Sequence, residues 1–253
     1  LEGKYKKNSL ASMMRSLVLV GGANLVTVAL GVIRLKLIAV MFGAAGVGLW
    51  GIYSNLLNTL ATGAGLGLST SAVQKIASSK EDQEALRTTI FTLSTTILIQ
   101  GVICTGLAIA FSAPISAALT LSTDNSYSIS IVAIAALFSM LSLARMSVLQ
   151  GQRQVKLLSQ ATVVGAILGT ALGALILYSK IENGIVLFIL VQPVSSYLSA
   201  LYYTKKAKLH HNDKIRPLRI FSAWLALAAV GVPLMLGVLV QTSSILAVRT
   251  VIT

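Results

Sequence analysis

A chain of 253 residues with 55% hydrophobic and only 11% charged residues cannot cover a water-facing surface, since soluble domains carry about 25% charged residues. Apolar side chains turned to lipid remove the conflict and exclude an ordinary soluble enzyme. The net charge of +13 comes from 20 Lys+Arg against 7 Asp+Glu; the cations fall between apolar runs, so they point to membrane topology and anionic headgroups rather than to nucleic acid.

A membrane-crossing helix needs roughly 20 mostly apolar residues. The qualifying runs are Leu17 to Phe42, Val47 to Leu68, Thr89 to Phe111, Tyr127 to Leu149, Leu157 to Tyr178 and Gly184 to Tyr203, with a seventh from about Val230 to the chain end. The run after Arg15 mimics a signal peptide, but many further spans follow and no cleavage-type segment stands out, so it is predicted as the first membrane helix. Gly63, Gly65 and Gly67 cluster at the end of the second run and predict close helix packing or a bend. The stretch Ala72 to Arg87 is long enough for a short helix lying on the membrane surface. The 112–126 connection is polar, carries Pro114 and is read as a loop. Phe221 to Ala229, near Pro217, Arg219 and Trp224, predicts an interfacial helix leading into the seventh run.

The fold class is therefore an all-α polytopic membrane protein. Residues 1–219 form a six-helix lobe; residues 220–253 form an interfacial segment and the first helix of a second, truncated lobe. The start at Leu1 and the end at Thr253, inside an apolar run, predict a fragment of a longer protein. Sixteen of the 20 Lys+Arg fall before run 1, between runs 2 and 3, around the 4–5 connection and after run 6. The opposite connections hold only Lys180, while Arg34, Lys36 and Arg249 lie inside apolar runs. This split predicts a cytoplasmic N-terminus by the positive-inside rule.

A shift of 215 residues lays Arg34 on Arg249, Thr27 on Thr242, Gly22 on Gly237 and Leu19 on Leu234. The matched intramembrane arginine raises this above chance similarity between apolar helices, because such residues are rare. With six helices between the copies, it predicts two parallel six-helix lobes around a central cleft.

Arg34 is the leading candidate for function. Residues 24, 27, 31 and 34 recur at helical spacing and are read as one face, carrying Asn24, Thr27, Gly31 and Arg34. A polar stripe ending in a guanidinium suits the wall of a watered cavity, and an arginine fork can hold a phosphate through two parallel hydrogen bonds. The alternative is an Arg34 that snorkels to outer headgroups. Lys36 points away from that stripe and is read either as snorkelling or as a further substrate contact. Arg249 takes the same reading as Arg34, with Thr242 as polar lining. The acidic residues Glu2, Glu81, Asp82, Glu84, Asp124, Glu182 and Asp213 all lie outside the spanning runs. An exporter of cations wants a buried carboxylate; a lobe without one predicts a cationic cavity and an anionic substrate. Cys104, in an apolar run, reads as a small packing residue. His210 and His211 sit in a basic loop, and no metal site, cofactor or catalytic constellation is predicted.

The stretch Arg34-Leu35-Lys36-Leu37-Ile38-Ala39-Val40-Met41-Phe42-Gly43-Ala44-Ala45-Gly46-Val47-Gly48-Leu49 resembles the Wzx-type flippases of lipid-linked oligosaccharides (O-antigen translocases), within the MATE-like multidrug/oligosaccharidyl-lipid/polysaccharide exporter superfamily. Gly63-Ala64-Gly65, Gln74-Lys75-Ile76-Ala77, Ala113-Pro114-Ile115-Ser116 and Gln150-Gly151-Gln152-Arg153 are similar in the same order, so the likeness covers essentially the whole chain. It implies a non-enzymatic transporter that moves undecaprenyl-pyrophosphate bearing a sugar repeat unit across the bacterial inner membrane by alternating access. Membrane lipids, the O-antigen polymerase and the chain-length machinery are the further partners it implies. The related lipid II flippases have an arginine in the place of Arg34, but an aspartate and a second arginine where this chain has Leu35 and Val40. Those departures argue against a peptidoglycan precursor. Two rival readings stand: a MATE-type exporter of small amphiphiles, and a non-transporting membrane scaffold for polysaccharide assembly.

Overall fold

The structure, a computed structural model, describes residues 2–65, 67–78, 83–120, 126–179 and 184–207. Its regular elements are all helices: α1 (Glu2–Gly65), α2 (Leu68–Ser78), α3 (Gln83–Ala110), α4 (Ser112–Thr120), α5 (Ser126–Gly151), α6 (Val155–Tyr178) and α7 (Gly184–Lys206). Helices satisfy every interior backbone N–H and C=O within one segment, which is what a hydrocarbon surrounding demands.

Five of these elements are long and apolar enough to cross a membrane, the first being the 49 residues Leu17–Gly65 of α1. At ~1.5 Å per residue that stretch would measure ~74 Å, more than twice the ~30 Å hydrocarbon layer. The length is resolved at Gly43, the one non-helical residue inside α1, with φ 65 and ψ −161. That region of backbone space is essentially open only to glycine. Gly43 thus splits α1 into two arms, 17–42 and 44–65.

Side-chain contacts fix the directions of the arms. Arg34 bonds to Ala166 and Thr170, and Ile38 clusters with Leu177, so the first arm runs parallel to α6. Tyr53 clusters with Ile129 and Val132, and Ala61 with Met140 and Ala144, so the second arm runs parallel to α5. Helix α5 is in turn parallel to α7, through Ile129 with Ile185 at one end and Phe138 against Tyr197 further along. Helices α6 and α7 are antiparallel. The two arms of α1 are therefore antiparallel, a hairpin closed at one glycine. At the closure, a Cβ on Gly46 would collide with the Cβ of Phe42. Helix α3 is antiparallel to α5: Gly101 faces Leu137, and the Thr105 hydroxyl donates to the Ala133 carbonyl at 3.2 Å. The six apolar arms alternate in direction along the chain.

The α6–α7 contact is a seam of small residues. A Cβ on Gly165 would stand 3.0 Å from Ser196 Cα, one on Gly169 3.2 Å from Gln192 Cα, and one on Gly173 would strike the Phe188 ring. Each step of four along α6 matches a step back of four along α7, and Ser199 Oγ extends the seam by donating to the Ala161 carbonyl at 2.8 Å. Helices in lipid associate through such close backbone approach, because apolar side chains gain little by leaving one apolar medium for another.

The predicted spans that fall within the described residues are present, with two corrections between them. The surface helix α2 begins at Leu68 rather than in the stretch from Ala72, because Gly67 (φ 65) turns the chain earlier than expected. Its buried Leu68, Ala72 and Ile76 are spaced as one helical face and pack on α3 and α5. The predicted 112–126 loop contains α4, whose Pro114 lies in the first turn, where no intrahelical N–H bond is lost. Of the glycine cluster, Gly67 makes the bend, while Gly63 and Gly65 have open space where a Cβ would stand. Cys104 is half-buried on α3. The seventh run, the interfacial segment, Thr242 and Arg249 lie outside the described residues, as do His210 and His211.

The ends of the bundle differ in charge. Lys75, Arg87, Arg145, Arg153, Lys156, Lys205 and Lys206 lie at or near the end where the second arm of α1 finishes. At the Gly43 end, the described cations are Arg34 and Lys36.

Gly43→Ala is expected to cost about 1–3 kcal/mol, because alanine pays for a backbone region it rarely adopts; thermal unfolding of the purified protein in detergent measures it. Gly165→Leu should be worse, since its neighbour is the Ser196 backbone rather than a flexible side-chain end. Overpacking of this kind costs about 1–3 kcal/mol or more, and a disulfide engineered across α6 and α7 should form less readily in that variant.

Candidate functional site

Arg34 stands nine residues before Gly43, about 13 Å from the fold of the hairpin at 1.5 Å per residue. Its side chain is 6% exposed. Nε donates to Thr170 Oγ1 at 2.7 Å, and Nη2 donates to the Ala166 carbonyl at 3.3 Å. The Thr170 hydroxyl donates its own proton to the same Ala166 carbonyl at 2.7 Å, so its lone pairs remain for Nε. Ala166 and Thr170 are themselves buried, at 4% and 7% exposure. The small Ala166 side chain lets the guanidinium reach the backbone of α6.

This arrangement overturns the snorkelling alternative: the guanidinium turns inward to α6, not outward along its own helix. A cation within a membrane helix costs ~2.5–3.5 kcal/mol on insertion scales. Two hydrogen bonds from a charged donor, at about 1.5–3 kcal/mol each, are enough to hold it without a carboxylate. Glu84, the acidic residue whose side chain is described, lies in the first turn of α3, at the opposite end of the bundle. The charge of Arg34 is thus solvated by neutral oxygens and left without a counter-charge among the described residues.

Three of the five guanidinium N–H groups remain. The bonds to α6 use Nε and Nη2, which form one edge of the planar group. Nη1 has no partner among the described residues and is not one of their fully enclosed unpartnered atoms, which are Thr92 Oγ1, Gln100 Oε1 and Ser159 Oγ. The free edge, Nη1 with the second N–H of Nη2, has the fork geometry that suits two oxygens of a phosphate.

The other expected site residues separate. At 100° per residue, Thr27 and Ala23 lie within about 20° of Arg34 around the helix, whereas Asn24 lies about 80° away. Ala23 is buried, Thr27 half-buried and Asn24 exposed. Thr27 Oγ1 donates back to the Ala23 carbonyl at 2.9 Å, satisfying itself within its own helix. The predicted single face of Asn24, Thr27 and Arg34 is corrected to a buried stripe of Ala23, Thr27, Arg34 and Ile38, with Asn24 beside it. Lys36 is exposed and does not share the stripe.

Sequence reasoning missed Thr170 and Ser159. They share a helix face, eleven positions apart, and Ser159 is buried with its hydroxyl unpartnered among the described residues. The available signal was hydroxyl residues recurring at helical spacing within the apolar run of α6. No three His, Cys, Asp or Glu gather among the described residues.

The family model described as polysaccharide biosynthesis protein matches residues 13–246. This chain belongs to that family. The match takes in every apolar helix described above, so the hairpin of α1, the α6–α7 seam and the Arg34 contact all lie within the part that defines a polysaccharide biosynthesis protein. It is a multi-pass membrane member of the family, with five apolar helical elements long enough to cross a membrane. No curated protein and no solved structure matches the chain.

Proposed function

We propose that the protein is a flippase of the Wzx type, carrying undecaprenyl-pyrophosphate-linked oligosaccharide, an O-antigen or similar repeat unit, from the inner to the outer leaflet of the bacterial inner membrane. The observation that carries this reading is Arg34: a buried cation without a carboxylate partner among the described residues, anchored by two bonds on one edge and presenting the other. Membership of the polysaccharide biosynthesis family supports the cargo class.

In this mechanism the lobe supplies a fixed positive centre in a low-dielectric wall. An anionic pyrophosphate is attracted there more strongly than in water, because screening is weak. The polyprenyl tail stays in lipid, so only the headgroup crosses the protein. A second lobe brings Arg249 and Thr242 opposite Arg34, and the lobes rock about the bound headgroup. Covalent bonds are neither made nor broken, and no cofactor takes part. With the basic end of the bundle in the cytoplasm and the N-terminus beside it, negative charge moves outward. The inside-negative potential favours that direction by ~2.3 kcal/mol per charge per 100 mV.

In cells carrying the full-length gene, Arg34→Ala should abolish flipping while the protein still inserts. Lipid-linked oligosaccharide then accumulates in the inner membrane and surface polysaccharide falls by at least about tenfold, the loss expected from one charge-assisted hydrogen bond. Arg34→Lys should retain part of the activity, since a point charge replaces the fork. Normal surface polymer from an Arg34→Ala protein present at the wild-type level would rule out the phosphate clamp.

A further inference from the structure

Thr170 does more in this geometry than fill space between α6 and the first arm of α1. Its hydroxyl proton is committed to the Ala166 carbonyl at 2.7 Å, which fixes the direction of its lone pairs. Nε of Arg34 meets one of them at 2.7 Å. Nη2 meets the Ala166 carbonyl from the same side at 3.3 Å. Two acceptors on one helix face therefore capture the side edge of a rigid, planar group, and the rotation of that plane is set. The remaining edge can point in only one direction relative to α6.

We propose that Thr170 is a positioning residue for substrate: it holds the guanidinium of Arg34 so that the end edge, Nη1 and Nη2, faces the phosphate oxygens of the lipid-linked headgroup. The inference rests on the phosphate-clamp reading of Arg34 and adds the part that orients it. The geometry is specific to arginine, because a lysine has no Nε–H edge for Thr170 to hold. It is also specific to a hydroxyl at position 170, because only an oxygen that both donates to Ala166 and accepts from Nε closes this small ring. Helix α6 is itself set against α7 at Gly165 and Gly169, one position away from Ala166 and Thr170 on the neighbouring face, so the acceptors are mounted on a fixed support.

The test uses the full-length protein reconstituted in proteoliposomes, with undecaprenyl-pyrophosphate carrying one fluorescent sugar as the probe. Thr170→Val keeps the shape and removes the acceptor. It is expected to raise the half-saturating probe concentration about tenfold while changing the maximal rate less than twofold. Thr170→Ser restores the oxygen and should stay within twofold of wild type in both. On an Arg34→Lys background, which keeps part of the activity, Thr170→Val should have no further effect, since there is no fork left to orient. If Thr170→Val does not accumulate in the membrane, Thr170→Ala serves the same comparison. The proposal is overturned if Thr170→Val transports like wild type, if Thr170→Ser fails as badly as Thr170→Val, or if Thr170→Val raises the half-saturating concentration again on the Arg34→Lys background. If Arg34→Ala itself transports normally, the clamp falls and the positioning role with it. If Arg34→Ala fails and Thr170→Val does not, the positioning role alone is lost.

Discussion

A guanidinium enclosed among apolar helices must find oxygens, and in this lobe it finds them on one face of α6. Among the described residues, the bonds from Arg34 to Thr170 and Ala166 tie the first arm of α1 to the rest of the bundle by polar contact. Most of that arm's other side chains are exposed: Leu25, Val28, Val32 and Val40 all lie on its surface. The arm touches its neighbours along a narrow stripe through Ala23, Thr27, Arg34 and Ile38. Where the arm stands, and which way its cation points, thus depends on two acceptors contributed from more than 130 residues further along the chain.

That dependence explains why α6 is held so closely from its other side. Gly165, Gly169 and Gly173 bring it against α7 without intervening side chains, and α7 packs on α5 through Ile129, Val132, Ile185 and Ile189. The acceptors for Arg34 are therefore carried on the part of the lobe with the closest backbone contacts. A binding group held by a well-packed support loses less freedom when its ligand arrives. The charge at the other end of the bundle has a different setting: the lysines and arginines there are exposed or half-buried near helix ends, whereas Arg34 is buried against α6.

Much of this architecture was legible in the sequence. The spans announce themselves because hydrocarbon thickness imposes a minimum apolar length, and Arg34 stood out because ionised groups are rare at such depth. The closure of the first hairpin was placed between Phe42 and Val47, and Gly43 makes it. What the sequence concealed depends on tertiary neighbours. Asn24 was grouped with Arg34 by spacing alone, and only the position of α6 shows that the buried stripe passes through Ala23 instead. Thr170 looked like one hydroxyl in an apolar helix until the first arm was laid against it. The start of α2 was hidden because Leu68, Ala72 and Ile76 are as apolar as the end of the span before them. Pro114 read as a loop residue, although the first turn of a helix accepts proline.

The central claim is that the buried fork of Arg34 recognises a lipid-linked diphosphate. The most direct measurement is binding by the purified full-length protein, comparing undecaprenyl pyrophosphate with undecaprenol in wild type and in Arg34→Gln. The account predicts that wild type prefers the diphosphate by at least about tenfold, as one charge-assisted bond requires, and that Arg34→Gln binds the two lipids alike. An Arg34→Gln protein that keeps the full preference would contradict it.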